Sequence, residues 1–210
     1  LDHHTLEYDV LAVALGSRVH RDVVPGIHEH AYTLDRQSAQ DLQQRLQDGG
    51  RLLVIGGGLT GIEAATEFAE RADVDVQLVT HDVVGAGLSG KGRKHILRTL
   101  NQLGVTVHEH TPVKTIYADY AETKQGKLDF DAVLWAGGFC ASPLPAQSGF
   151  LTNEIGQMLV RDTLQSLDYD NVYGVGDVAQ IVMQNGKALR MACAVAMPMG
   201  THVADNITRH

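Results

Sequence analysis

The chain has 210 residues, of which 44% are hydrophobic and 20% charged, an ordinary composition for a globular protein. Its formal charge is -8, from 17 basic and 25 acidic residues, and the basic residues are scattered along the chain. This scatter disfavours nucleic acid as a partner, because a phosphate backbone is bound through clustered Lys and Arg. No apolar run approaches the roughly 20 residues that cross a bilayer, so we predict no transmembrane segment and a cytoplasmic protein.

The first 50 residues predict one buried strand and one short helix. A strand-like run begins at Tyr8, and its Val10 to Leu15 part is continuously apolar and ends at Gly16-Ser17, which is typical of a strand buried on both faces. No earlier element could pair with this strand, so we expect a further segment of chain upstream. A loop through Pro25-Gly26 and a helix from Ser38 to Leu46 follow, and Gly49-Gly50 predicts a domain crossing.

A glycine-rich turn then lies directly between a strand, Leu52 to Ile55, and a helix whose apolar spacing continues to Ala72. The next strand, Val74 to Val79, completes a βαβ unit of about 30 residues. The turn reads Gly56-Gly57-Gly58-Leu59-Thr60-Gly61. In GxGxxG the three glycines permit a tight turn, approach of a pyrophosphate and close helix packing, while the helix N-terminus attracts phosphate. The pattern predicts a dinucleotide site, with a ligand-free glycine turn as the alternative.

The corner after the second strand of such a unit selects the cofactor, because an acid there binds a ribose 2′-hydroxyl. Here the corner reads Thr80-His81-Asp82. No acid follows the strand at once, although Asp82 lies within reach, and no arginine is present to hold a 2′-phosphate. The corner therefore favours NADH over NADPH.

A second helix and a small antiparallel layer follow. Ile96, Leu97, Leu100 and Leu103 share one helical face, and Gly104 is the predicted C-cap.

Val105 and Val107 begin the next strand, and the alternating, turn-rich pattern from Val113 to Phe130 predicts the antiparallel layer. The strand Ala132 to Trp135 ends in Ala136-Gly137-Gly138, and Pro143 and Pro145 mark a second crossing.

The last third of the chain predicts short strands at Leu159-Val160 and at Val172 to Val175. A final helical pattern runs from Ala192 to Ile207, and Pro198 should start or kink that helix.

Two groups of metal-binding residue types carry no site prediction. His108-Glu109-His110 on a strand would place both rings on one face, but no third ligand is identifiable, so an ordinary solvated strand is favoured. Cys140 and Cys193 form neither a CxxC pair nor a zinc pattern, and both are interpreted as small buried hydrophobes in a reducing compartment. No metal site is predicted.

Five ordered landmarks identify a family. They are Tyr8 to Leu11 with Gly16-Ser17, Pro25-Gly26, Gly56 to Gly61 with Glu63, Leu134 to Phe139, and Asn171 to Asp177. In these the chain resembles the pyridine nucleotide-disulfide oxidoreductase superfamily, and within it type II NADH dehydrogenases and related single-flavin NAD(P)H oxidoreductases. The resemblance implies an α/β fold of two Rossmann-like FAD- and NAD(P)-binding domains, with a parallel sheet and a small antiparallel layer. It implies that residues 1–48 and 139–210 belong to the FAD-binding domain and 49–138 to the NAD(P)-binding domain.

The resemblance also implies cofactor-binding positions. Those for NAD(H) are Gly56, Gly57, Gly58, Leu59, Thr60, Gly61, Glu63, Thr80, His81 and Asp82. Those on turns beside the dinucleotides are Gly16, Gly137, Gly138, Gly176 and Asp177. Asp177 would hydrogen-bond the flavin's ribityl and pyrophosphate region, with a helix N-cap as its structural alternative. Glu63 would lie near the nicotinamide, with a first-turn acid that complements the helix dipole as its alternative.

The implied function is hydride transfer from NAD(P)H to FAD, followed by electron transfer to a small-molecule acceptor. A non-catalytic redox sensor or scaffold that binds a dinucleotide is the alternative. No catalytic side chain is assigned, since the cofactors carry the hydride chemistry. A homodimer and peripheral attachment of the full-length protein to a membrane are both compatible with the resemblance.

The chain departs from the family pattern in two respects. The first, FAD-binding GxGxxG is absent, so we expect the 210-residue chain alone to bind FAD weakly. The glutamine positions of the quinone motif, aligned on Gly200, fall on Ala194, Pro198 and Met199, which argues against quinone as the acceptor.

Overall fold

The computed structural model describes residues 5–183, 186 and 188–209. Within that range the chain divides into two compact units. Residues 19–138 form one, here called the parallel-sheet unit, and the described residues before 19 and after 138 form the other, here called the split unit.

The described residues form fourteen strands, six helices and one 3-10 helix. The strands are β1 (Leu11–Val13), β2 (Ser17–Val19), β3 (Ala31–Tyr32), β4 (Gly50–Ile55), β5 (Val74–Val79), β6 (Thr106–His108), β7 (Val113–Ile116), β8 (Tyr120–Thr123), β9 (Lys127–Asp129), β10 (Ala132–Trp135), β11 (Phe139–Ala141), β12 (Met158–Leu159), β13 (Val172–Gly174) and β14 (Ala179–Gln180). The helices are α1 (Ile27–His30), α2 (Arg36–Arg45), α3 (Leu59–Ala69), α4 (Gly90–Gln102), α5 (Leu144–Gln147) and α6 (Cys193–Arg209), with a 3-10 helix at Gly176–Val178.

The parallel-sheet unit is built on a five-stranded sheet in the order β3-β10-β4-β5-β6, with every neighbouring pair parallel. Val54 in β4 pairs with Leu134 on one side and Leu78 on the other. Both faces of β4 are covered, because Leu52 and Val54 pack in one core cluster and Leu53 in another. Burial on both faces explains why this strand is a continuous apolar run.

Helices cover one face of the sheet and the antiparallel layer covers the other. Leu42 of α2, Ala65 of α3 and Leu100 of α4 are buried in the first cluster. Strands β7, β8 and β9 form the predicted antiparallel layer, and its Ile116 and Ala121 are buried in the second. The α/β fold with a parallel sheet and a small antiparallel layer is therefore confirmed.

The observed ends of helices α2, α3 and α4 differ in part from the predicted ones. Ser89 caps α4 by accepting a hydrogen bond from the N–H of Gly92. Leu103 is the C-cap of α4, so the predicted C-cap Gly104, with a φ of 76°, lies one residue beyond it. The helix expected to continue to Ala72 ends at Ala69, so that extension was wrong. Helix α2 starts two residues before the predicted Ser38, because Asp35 is its N-cap.

The compact units divide elsewhere than at the predicted crossing, Gly49-Gly50. Residues 19–48 pack with the strands that follow them, since β3 pairs with β10 and Leu42 and Leu46 lie in the same core as Leu52. Gly49 has a φ of 86° and its N–H donates to Leu46 O, so this segment is a tight helix-to-strand turn. The assignment of a cofactor to each part of the chain stays a prediction.

The split unit joins pieces from both ends of the described chain. Strand β1 pairs with β13 in parallel, as Leu11 faces Val172, and β12 pairs with β14. The strand predicted from Tyr8 to Leu15 is thus only three residues long, and the prediction that both its faces are buried is wrong, since Leu11 and Val13 are half-buried and Ala12 is exposed. Met199 and Val203 bury one side of α6.

Pro198 lies inside α6, five residues after Cys193, so it does not start that helix as one prediction had it.

Candidate functional site

The glycine turn follows β4 directly and brings three strand ends together. Gly56 has a φ of 132°, and a Cβ there would collide with the backbone of Ala136. Its N–H donates to Val79 O at 2.8 Å, and the Ala136 N–H donates to Ile55 O at 2.8 Å. Only a residue without a Cβ allows β4, β5 and β10 to approach this closely at their carboxyl ends.

The other two glycines of the motif have contrasting surroundings. A Cβ on Gly61 would collide with the carbonyl oxygen of Gly56, so α3 can pack against the turn only because this residue is glycine. Gly58, by contrast, has no atom within 4 Å of its Cβ position and is exposed. Gly58 is also the N-cap of α3 and supplies no side-chain cap, so the first N–H groups of the helix have no intrahelical partner. Open backbone at a helix N-terminus is suited to an anion.

The side chain of Thr80 packs against the glycine turn at Gly57. A Cβ on Gly57 would lie 2.8 Å from Thr80 Oγ1, and Thr80 is buried, with 5% of its surface exposed. Its Oγ1 accepts a long hydrogen bond, 3.4 Å, from the N–H of Asp82. His81 and Asp82, the other two residues of the predicted corner, are exposed. His81 and Asp82 are therefore accessible to a ligand, whereas Thr80 is not.

An open cavity of about 230 Å³ lies beside the turn. Ile55, Val79 and Trp135, the last residues of β4, β5 and β10, contribute to its wall. The full lining is Val23, Val24, Ile55, Gly56, Val79, Thr80, His81, Thr111, Pro112, Val113, Trp135 and Gly137. Helix α3 connects β4 to β5 while β10 lies on the other side of β4, which makes this a topological switch point. Ligands bind at such points in open α/β sheets.

Two predicted glycines follow β10 at the same edge. A Cβ on Gly137 would lie 2.5 Å from the Trp135 ring, and Gly138 has a φ of 147° and accepts the His20 N–H at 3.0 Å. The Trp135 indole N–H donates to His20 O at 3.0 Å. The chain is therefore held tightly around the tryptophan.

Glu63 is exposed on α3 as the fifth residue of the helix. It lies outside the first turn, so the alternative that it complements the helix dipole is wrong.

The prediction of a solvated strand at His108-Glu109-His110 is wrong. Strand β6 ends at His108, and His110 has a φ of 53°, so the two rings do not share a strand face. Glu109 instead forms a bidentate ion pair with Arg93, whose Nη2 lies 2.6 Å from Oε1 and 2.8 Å from Oε2. Sequence reasoning missed this pair because its members are 16 residues apart on different elements.

Burial and hydrogen bonding act in opposite directions on Glu109. Burial raises the pKa of its carboxyl, but hydrogen bonds from Arg93 and from the Val84 N–H outweigh that effect and lower the pKa below its ordinary value. Burial lowers the pKa of His108, whose Nε2 lies 3.1 Å from Gln77 Oε1. Glu109 is thus held as the anion.

The split unit carries the other predicted turn. Gly16 and Gly176 have φ values of 66° and 72°, and a Cβ on Gly176 would lie 3.1 Å from Ala196 Cβ. Ser17 Oγ donates to Asp177 Oδ2 at 2.6 Å, a bond that joins residues 160 positions apart. Asp177 lies within the 3-10 helix and caps no helix, so the N-cap alternative is wrong. Ser17 belonged to a recognised landmark but had been given no role.

The remaining predictions concern metal, cysteines and membrane. Among the described residues no group of three His, Cys, Asp or Glu side chains could hold a metal ion. Cys140 is buried, but Cys193 is exposed, so the prediction that both are buried was half wrong. No helix within the described part of the chain is long and apolar enough to cross a membrane.

Comparison with known proteins identifies the family. Residues 1–198 match the family described as pyridine nucleotide-disulphide oxidoreductase. Relatives include a type II NADH:quinone oxidoreductase of Haemophilus influenzae, 25% identical over 247 residues, and an NADH dehydrogenase-like protein of Mycobacterium tuberculosis, 30% identical over 222 residues. The matches cover 96% and 95% of this chain but 56% of each relative, so the chain spans about half the length of the curated relatives it matches.

A solved structure supports the same relationship. The NAD-dependent persulfide reductase from A. fulgidus superposes with a TM-score of 0.82 at 25% identity, over 97% of this chain and 40% of that one. The ordered landmarks, the glycine turn at the switch point and the family match agree. The chain belongs to the pyridine nucleotide-disulphide oxidoreductase family.

Proposed function

We propose that the glycine turn of the parallel-sheet unit binds NADH and that the Asp177 turn of the split unit binds FAD, within an FAD-dependent NAD(P)H oxidoreductase. The observation that carries the proposal is the open backbone at Gly58, at the N-terminus of α3 and at a switch point of the sheet. The relatives are oxidoreductases by name, which supports the same activity.

The parallel-sheet unit would hold the nucleotide mainly through its backbone. The first N–H groups of α3, from Leu59 to Gly61, would bind the pyrophosphate, helped by the positive end of the helix dipole. The exposed Asp82 would accept a hydrogen bond from a ribose hydroxyl. The adjoining cavity, lined largely by Val and Ile side chains and Trp135, would exclude water from the bound nucleotide.

The residues of the split unit fit a flavin. Gly16 and Gly176 keep the backbone in left-handed conformations that form two turns, and Ser17 fixes the orientation of the Asp177 carboxylate between them. A carboxylate held in this way can accept hydrogen bonds from the hydroxyls of a ribityl chain. Gln157 supports the same turn, because its Nε2 donates to Asp177 O at 3.0 Å and Ala179 O at 3.2 Å.

The two cofactors would supply the hydride donor and the hydride acceptor. The role of the chain is to bind and orient them, and no side-chain acid or base is assigned to the hydride step. Glu63, Gly137 and Gly138 are proposed to lie beside the nicotinamide nucleotide. We propose a small-molecule electron acceptor and a cytoplasmic site of action. Quinone is disfavoured, because Ala194, Pro198 and Met199 offer no side-chain amide to it.

An anaerobic NADH titration of the full-length flavoprotein tests this function. We expect the visible absorbance of the flavin to bleach in proportion to added NADH and to return when an acceptor is added. Retention of flavin absorbance at saturating NADH would overturn the proposal and favour a binding module that senses redox state. A Gly58→Val variant is the matched control, because it should keep its flavin and lose the bleaching by NADH.

A further inference from the structure

The loop between β5 and α4, residues 80–89, carries His81 and Asp82 and is fixed by the Glu109–Arg93 pair. The Val84 N–H donates to Glu109 Oε1 at 2.6 Å, and Arg93 Nε donates to Val84 O at 3.1 Å. Both backbone groups of Val84 are therefore bonded to one ion pair. Val84 itself is fully buried.

The same loop is tied to the glycine turn. The Gly85 N–H donates to Gly57 O at 2.8 Å, and the His110 N–H donates to Asp82 O at 3.2 Å. Consecutive Cα atoms are about 3.8 Å apart, so Val84 lies within about 7.6 Å of Asp82. The ion pair that holds Val84 is thus close to the place where the proposed function puts the ribose 2′ position.

Arg93 contacts both Glu109 and the loop. Its Nη2 bonds both carboxylate oxygens of Glu109 and its Nε bonds the loop, and only 32% and 26% of the Arg93 and Glu109 side chains are exposed. Residues 80–89 contain no Lys or Arg. A cation in reach of a 2′-phosphate would favour NADPH, but here the guanidinium charge is cancelled by Glu109.

We infer that the Glu109–Arg93 pair is a positioning and specificity-determining device that maintains the preference for NADH over NADPH. It does so by holding the 80–89 loop in place and by neutralising Arg93 beside it. The inference rests on the proposed function. Neither residue was assigned to the cofactor site from the sequence, and both act through the loop, without touching the nucleotide.

Opposite single-charge variants separate this role from a purely structural one. Glu109→Gln keeps an oxygen that can accept the Val84 N–H but leaves Arg93 uncompensated, so the affinity ratio of NADPH to NADH should rise about threefold or more. Arg93→Gln leaves Glu109 uncompensated, so that ratio should fall by a similar factor. The double variant Glu109→Gln, Arg93→Gln removes both charges and should return the ratio towards that of the parent.

The experiment is an equilibrium titration of the full chain with NADH and with NADPH. Calorimetry measures the two affinities at low and at high salt. Both ratio changes should shrink at high salt, because the 2′-phosphate interaction is screened. Arg93→Lys is the matched control, since it keeps the charge and should keep the ratio even where thermal unfolding shows a loss of stability.

The outcomes distinguish the two proposals. If the parent binds NADH but both single-charge variants move the ratio in the same direction, or leave it unchanged, the ion pair is only structural and the inference is overturned. If the parent binds neither nucleotide, the proposed function fails, and the inference fails with it. An affinity ratio of NADPH to NADH that rises in Glu109→Gln and falls in Arg93→Gln supports both proposals, and the reverse pair of changes overturns the inference.

Discussion

The two units use glycine for different physical reasons. In the parallel-sheet unit, a Cβ on Gly56 or Gly61 would collide with backbone atoms of neighbouring segments. In the split unit, Gly16 has a positive φ of 66° but no atom within 4 Å of its Cβ position. The first turn is thus specified by packing against the ends of the sheet, whereas the second is specified by backbone conformation. Close packing should make Gly56 and Gly61 much less tolerant of substitution than Gly16.

The largest expected effect follows from this difference. We expect Gly61→Ala to lower the free energy of unfolding of the parallel-sheet unit by about 3 kcal/mol, because the obstructing atom is a backbone oxygen that cannot rotate away. Urea unfolding followed by the fluorescence of Trp135 measures it, since this buried residue is the single tryptophan and lies in that unit.

Gly16→Ala is the matched control in the split unit. It should cost about 1 kcal/mol, from the left-handed backbone alone, and leave the Trp135 transition where it was. Equal effects of the two variants on the Trp135 transition would contradict the contrast between the turns.

The two units also differ in how exposed their ion pairs are. Glu109 in the parallel-sheet unit is partly shielded and bonds both Arg93 and the Val84 N–H. Asp170 in the split unit bonds Arg161, but 86% of its side chain is exposed. Exposed pairs contribute little because water screens them, whereas shielded charge-assisted hydrogen bonds contribute more.

We therefore expect Glu109→Gln to lower the free energy of unfolding by about 1.5 to 3 kcal/mol near neutral pH, and Asp170→Asn by less than about 0.5 kcal/mol. The pKa of Glu109 is lowered in the folded chain, so its contribution is present above the ordinary glutamate pKa and is lost as the pH falls through the folded value. The difference between parent and Glu109→Gln should accordingly shrink below about pH 4. Urea titrations over that pH range measure it, and a difference that is constant with pH would contradict the assigned charge.

Elements with local signals could be predicted from the sequence. The strand predicted from Val74 to Val79 has those bounds in the structure, because buried Val74, Val76 and Leu78 alternate with polar residues. The antiparallel layer was predicted from its alternating, turn-rich pattern, whereas Gly104 lies one residue beyond the C-cap of α4, Leu103. The backbone geometry around Gly56 and Gly61 also fits the motif, since each glycine has a steric reason that acts over short range.

Features that depend on distant partners could not be predicted. Strand β1 is defined by its pairing with β13, and the orientation of Asp177 depends on Ser17, 160 residues away. Residues 19–48 join the parallel-sheet unit through β3, a two-residue strand with no periodic pattern of its own. The burial of Thr80 under Gly57 and the Glu109–Arg93 pair follow from tertiary packing, which no local spacing encodes.

Titration of the parent and of Gly58→Val with NADH tests most directly whether the glycine turn binds NADH. Gly58 has φ and ψ values of -75° and 176°, and its Cβ position is open, so valine should fit without disturbing the fold and should occupy the space of the pyrophosphate. Energy transfer from Trp135, which lines the adjoining cavity, reports binding. We expect that the parent binds NADH and that Gly58→Val, with an unchanged unfolding transition, binds it about 100-fold more weakly or worse, equivalent to about 2.7 kcal/mol. Equal affinity of the two proteins for NADH would contradict it.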